Sequence, residues 1–266
     1  MNAAPPGERV LDVVLRGERL RLRALGFGTP APAGPRFLLL HGNPGYERSL
    51  DLAQALRRAG YTVLFFDYRG NWGSGGTFSR THALEDVHAA LGWVRSGATT
   101  RQFRIDSSRV ALVGHSMGGW LALVVAAADA RVTCVSALDS RNLGAYGRML
   151  RENRSADSAR VIADDSLTGP GAPYRAEGRG AGLVAELKAN AEDWDVTARA
   201  RALSDRPILL IGATFKADQD SLATALEKVG ARRVTALAWQ TDHSFSDRRI
   251  DLARTVVGWL RSSCAL

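Results

Sequence analysis

Ser116 lies in Gly114-His115-Ser116-Met117-Gly118-Gly119, directly after the apolar run Val110 to Val113 and directly before the apolar stretch Trp120 to Ala128. Glycines two before and two after a serine let a strand turn into a helix too sharply for any side chain at those places. The serine is then held at a strained, exposed apex with a helix N-terminus beneath it, the geometry of a nucleophile elbow. A serine hydroxyl is a weak nucleophile at neutral pH, so the chemistry also requires a base. Five histidines are available. His115 is next to Ser116 and its side chain is expected to point away from the place a base occupies. His82 and His88 precede the nucleophile on a helical segment, and His41 is placed to brace its own glycine-rich loop. His243 follows a late strand, which brings it to the sheet edge that carries Ser116, and it is the candidate base.

A carboxylate must hold the imidazole in one tautomer. The order serine, acid, histidine directs attention to Thr214-Phe215-Lys216-Ala217-Asp218-Gln219-Asp220, after the strand Ile208 to Ala213. Asp218 is the first choice. Asp220 suits the N-cap of a following helix, Asp139 at the end of the preceding strand is a real alternative, and Asp242 is placed to shape the loop of His243. The developing oxyanion needs donors, and two backbone N–H groups qualify: Met117, just after the nucleophile, and Asn43 in His41-Gly42-Asn43-Pro44-Gly45, where Pro44 has no N–H. No His, Asp, Glu or Cys cluster has metal-ligand spacing, and no metal or cofactor is expected.

Those residues need a sheet to bring them together. Residues 9–27 alternate apolar and polar with a turn at Gly17-Glu18, which predicts an antiparallel edge pair. Phe37 to Leu40, Tyr61 to Asp67, Val110 to Val113, Val132 to Leu138, Ile208 to Ala213 and Arg233 to Trp239 read as strands, mostly apolar throughout, as buried parallel strands are. Between them the helical stretches 50–60, 82–95 (Thr81 as N-cap), 120–128, 221–230 and 248–262 predict a doubly wound, mostly parallel α/β sheet. Residues 140–206 break the alternation, arginine-rich and about twice the usual length of a crossover, and read as a helical cap inserted into a single domain spanning 1–266.

Composition narrows the class. With 45% apolar and 23% charged residues among 266, the chain can bury a full core. The net charge of +8 invites a nucleic-acid reading, but only three of the 35 basic residues are lysine. The excess is spread along the chain without interleaved aromatics, so no nucleic-acid partner is expected. Residues 68–76 are glycine-rich yet have neither dinucleotide nor P-loop spacing. Cys134 and Cys264 show no redox or metal spacing and read as free thiols in a reducing, cytoplasmic setting. The first ten residues lack a signal-peptide pattern, and Val110 to Ala128 reads as a buried strand and helix rather than a membrane span.

Taken together, HGNPG (41–45), FFDYRGNWGSGG (65–76), LEDV (84–87), VALVGHSMGG (110–119) and TDHSFSDRR (241–249) resemble the α/β-hydrolase superfamily. Within it, the resemblance is to prolyl-oligopeptidase-like and dienelactone-hydrolase-like bacterial enzymes. It covers nearly the whole chain outside the cap. It implies a serine nucleophile at Ser116, a base at His243, oxyanion donors at Asn43 and Met117, and cofactor-free hydrolysis of esters, thioesters or small amides. The chain departs from the family at one place: relatives carry the acid two to four residues past the glycine that ends the next-to-last strand, and here Thr214, Phe215 and Lys216 stand there. The expected partner is therefore a small ester or amide substrate, with a homodimer also compatible. An acyltransferase or cyclase using the same triad, and a binding protein on the same fold, are the rival readings. In the cap, Arg141, Arg148, Arg151 and Arg154 could meet a substrate carboxylate or form a solvated helix face, and the second reading is preferred.

Overall fold

The computed structural model describes residues 8–15, 18–25, 36–43, 45–103, 108–152 and 179–264. Eight strands form one sheet in the order β1-β2-β4-β3-β5-β6-β7-β8. They are β1 (Glu8–Leu15), β2 (Glu18–Leu25), β3 (Arg36–Leu40), β4 (Thr62–Phe66), β5 (Val110–His115), β6 (Val132–Leu138), β7 (Ile208–Gly212) and β8 (Val234–Ala238). The first two form the expected antiparallel pair at one edge, β2 runs antiparallel to β4, and the six strands from β3 to β8 are parallel.

Every residue of β4, β5 and β7 is buried. That burial requires cover on both faces, and alternate side chains supply two cores. Leu38, Leu40, Leu64, Phe66, Val110 and Leu112 point toward one layer, whereas Leu39, Val63, Phe65, Ala111 and Val113 point toward the other. The first layer contains α2 (Arg80–Arg95), α4 (Met117–Ala128) and α8 (Lys216–Lys228). The second contains α1 (Leu50–Arg58) and α9 (Arg249–Ser263). Short α3 (Gly97–Phe103) follows α2 without having been expected from the sequence. The N-cap of α2 is Ser79, whose side chain accepts from the His82 N–H, not Thr81.

The chain leaves β3 toward β4 on one side and returns to β5 on the other. Open α/β sheets bind ligands at the carboxyl ends of strands where the order reverses in this way. Loops 41–43 and 115–117 lie at that point.

One expectation changes here. Cys134 and Cys264 are not free thiols: they form a disulfide, with Cα atoms 5.9 Å apart. The side chain of Cys134 in β6 points into the layer of α9, and Cys264 is the C-cap of that helix. A separation of 130 residues hid that proximity. A helical cap was expected over residues 140–206. Residues 153–178, including Arg154, lie outside the described residues. On either side, α5 (Leu143–Glu152), α6 (Arg179–Ala189) and α7 (Ala200–Leu203) carry Leu150, Leu187 and Leu203 into the core shared with α4, and the turn between α6 and α7 adds Trp194. The Trp120 indole N–H of α4 donates to the Trp194 carbonyl at 2.9 Å. Among the described residues no helix is long and apolar enough to cross a membrane.

Candidate active site

Ser116 has φ 57° and ψ −123°, a conformation that a side-chain-bearing residue keeps only when its surroundings impose it. Two glycines allow this bend. A Cβ on Gly114 would come within 2.0 Å of the Gly118 carbonyl oxygen, and one on Gly118 within 2.0 Å of the Leu40 carbonyl oxygen. The turn is thus closed on itself and pressed against β3. The Ser116 N–H donates to the Leu138 carbonyl at 2.9 Å, which extends the β5–β6 ladder to the serine itself.

Opposite lies the loop after β3. A Cβ on Gly42 would stand 2.8 Å from the Ser116 Cβ and 3.3 Å from its Oγ, so this backbone crosses directly beside the hydroxyl, with Asn43 next in line. His41 braces the loop. Its Nδ1 donates to the Gly42 carbonyl at 2.7 Å, and the Tyr68 hydroxyl donates to the His41 carbonyl at 3.0 Å. Burial drives the His41 pKa down to about 3, so the ring is neutral and structural. The next loop is pinned to α2: Asp86 accepts from Arg69 N–H at 2.8 Å and from its Nε at 2.6 Å.

His243 stands on the third side. Its ring centroid is 4.7 Å from that of His115, the residue before Ser116. The Nδ1 of His243 donates to Asp139 Oδ2 at 2.6 Å. Asp139 is fully buried and accepts three more hydrogen bonds, from Ala213 N–H at 2.7 Å, Thr214 N–H at 3.1 Å and Phe215 N–H at 2.8 Å. Burial pushes its carboxyl up, but the His243 bond together with the amides of Ala213 and Phe215 outweighs that and holds the pKa below its ordinary value. An ionised carboxylate at this place keeps the proton on Nδ1 and leaves Nε2 as the basic nitrogen.

The expectation for Asp218 is therefore corrected. Helix α8 begins at Lys216 rather than Ser221, which leaves too little loop for Asp218 to reach His243. It lies in the first helical turn, and its Oδ2 accepts from the Asn142 N–H at 3.0 Å. Asp220, one helical turn past Lys216, pairs with that lysine. Asp242 shapes its loop as expected, with Oδ1 accepting from Ser244 and Ser246 N–H. The shortened loop after β7 supplies amides to the carboxylate instead of supplying the carboxylate.

His115 has a part that sequence reasoning missed. Its Nε2 donates to the His243 carbonyl at 2.7 Å and ties the elbow to the loop of the candidate base. Burial lowers its pKa to about 4, with the neighbouring His243 adding to the effect. Phe215 was also missed: its ring meets that of His243 edge-on at 5.1 Å. Its position three residues after β7 was the available signal, since strand ends on this edge converge. Among the described residues no group of three or more His, Cys, Asp or Glu is placed to hold a metal ion.

Comparison with known proteins agrees with this architecture. A profile described as "Alpha/beta hydrolase family" matches residues 37–261. Protein Rv2307c of Mycobacterium tuberculosis (strain ATCC 25618 / H37Rv) is 39% identical over 100 residues, 37% of this chain and 34% of that protein. YfhR of Salmonella typhi is 30% identical over 146 residues, 54% of this chain and 47% of that protein. The alignments thus span about a third to a half of these relatives. Among solved structures, the esterase Pf2001 of Pyrococcus furiosus superposes with a TM-score of 0.70 at 16% identity, over 98% of this chain and 92% of that one. A thermostable carboxyl esterase of Bacillus coagulans superposes with a TM-score of 0.70 at 14% identity, over 97% and 99%. DcsB, in complex with its substrate analogue, gives 0.71 at 16% identity, over 98% and 100%. At these identities the likeness concerns the fold.

Proposed function

Because the chain belongs to the alpha/beta hydrolase family, we propose that it is a serine hydrolase that cleaves carboxylic ester, thioester or small amide bonds through an acyl-enzyme on Ser116. The observation that carries this reading is the Asp139–His243 hydrogen bond at 2.6 Å beside a serine whose backbone is bent to φ 57°.

In the proposed cycle His243 Nε2 removes the proton of Ser116 Oγ as that oxygen attacks the substrate carbonyl. The imidazolium is stabilised by Asp139, which remains ionised. The N–H groups of Met117 and Asn43 receive the developing oxyanion, each such donor contributing about 3–4 kcal/mol to the transition state. Collapse of the tetrahedral intermediate expels the alcohol, thiol or amine, which takes the proton from His243. Water then repeats the sequence on the acyl-enzyme, with His243 again the base. Each half uses the same five groups, so no cofactor is needed.

The experiment is labelling with a fluorophosphonate probe. The wild-type protein is expected to be modified at Ser116, and Ser116→Ala to be unlabelled and inactive on short methyl and p-nitrophenyl esters. Modification of the variant to the same extent as wild type would remove the serine from the mechanism. Lack of labelling in a folded wild type would leave a binding protein on this fold as the better account.

A further inference from the structure

Several arginines from Arg148 to Arg206 are consumed by structure. Arg148 pairs with Asp195 and Glu192, Arg151 with Glu192, and Arg206 donates to the carbonyls of Ala126, Asp129 and Val132. Arg141 differs. It lies two residues after Asp139 and is half-buried. Its guanidinium carbon sits 3.5 Å over the Tyr146 ring and 5.3 Å over the Phe215 ring. Phe215 in turn packs on His243. Among the described residues no carboxylate stands within ion-pair distance of Arg141. Asp218, which feels the charge of Arg141, points its Oδ2 at the Asn142 N–H instead.

From this placement we infer that Arg141 anchors a carboxylate carried by the substrate, so that the preferred substrates are short esters or amides bearing a free carboxylate. The inference rests on the serine hydrolase reading above and deepens it. Aromatic rings cover the flat face of the guanidinium, which leaves its N–H edges as the available donors. A planar carboxylate meets such an edge with two parallel hydrogen bonds. One cation beside a buried aspartate suits a monoanionic carboxylate better than a dianionic phosphate. The placement also suits the chemistry, because one ring, Phe215, packs against both the guanidinium and His243. A substrate carboxylate on Arg141 and a scissile carbonyl at Ser116 are then joined by a short chain, as in the half-ester of a small dicarboxylic acid.

The test compares monomethyl glutarate with methyl valerate, followed by pH-stat titration, in wild type, R141Q and R141K. Wild type is expected to favour the half-ester in kcat/KM by about tenfold or more, mainly through KM, the size of effect that charge-assisted hydrogen bonds give. R141Q should remove that preference, R141K should keep part of it, and added salt should reduce it in wild type. Free glutarate should slow fluorophosphonate labelling of wild type more than that of R141Q. A wild-type ratio near one, or a ratio equal in wild type and R141Q, overturns the assignment of Arg141. If wild type is labelled at Ser116 and cleaves methyl valerate without such a preference, only this inference fails. If Ser116 is not labelled at all, the serine hydrolase reading fails first.

Discussion

Asp139 and Asp218 separate what a residue type can do from what its position allows. Both are aspartates near the same sheet edge, yet one accepts from His243 and three amides while the other accepts from the Asn142 N–H. Replacing Asp139 with Asn would keep the shape and lose the charge that orders the imidazole. We expect kcat of D139N to fall by about 10³–10⁴-fold on a short ester, as when a triad acid becomes an amide. D218A, which removes the acceptor of the Asn142 N–H, should stay within about threefold in kcat and lose about 1 kcal/mol of stability, the usual contribution of one hydrogen bond. Ester hydrolysis and urea unfolding of the two variants measure this. The opposite ranking would return the acid to the loop after β7.

At the scale of elements, the site is an agreement between loops from β3, β5, β6, β7 and β8, and His115 joins two of them. Its ring reaches from the elbow to the His243 carbonyl and carries no charge at neutral pH. A histidine with a folded pKa of about 4 and an ordinary unfolded pKa of 6.5 takes up its proton first in the unfolded chain. Its stabilising contribution is therefore fully present above pH 6.5 and lost progressively as pH falls toward 4. Between pH 7 and pH 5 this amounts to about 2 kcal/mol. H115Q, which cannot titrate, should show a fall in stability between those two pH values smaller than wild type by that amount in paired urea titrations. Identical pH dependence would mean that His115 titrates alike in both states. Helix α8 belongs to this scale as well. Its start at Lys216 instead of Ser221 converts a loop that was expected to supply an acid into one that presents N–H groups to Asp139.

For the whole molecule, the Cys134–Cys264 bond ties the middle of the sheet to the end of the last helix. Closing a loop of this length restricts the unfolded chain, and removing such a bond usually costs about 2–4 kcal/mol. C264S is expected to unfold at lower guanidinium concentration than wild type, and reduction should bring wild type down to the same midpoint. Equal midpoints for oxidised wild type, reduced wild type and C264S would contradict a stabilising role. Burial of both cysteines makes the expected difference a property of the folded sheet and α9.

Local rules in the chain itself determined much of this protein. Glycines around Ser116 specify the elbow because no other residue fits against Gly118 and Leu40, continuous apolar runs specify buried parallel strands, and their alternation with helices specifies a doubly wound sheet. Choice among the acids, the pairing of the cysteines and the bond from His115 to the His243 loop were decided only by the tertiary structure. In the parallel register His115 stands opposite Leu138, so Asp139 is carried level with Ser116. That adjacency depends on which strand lies beside which. Strand order is set by packing of the whole sheet, and residues 23 to 130 positions apart become neighbours without leaving any local pattern that spacing could reveal.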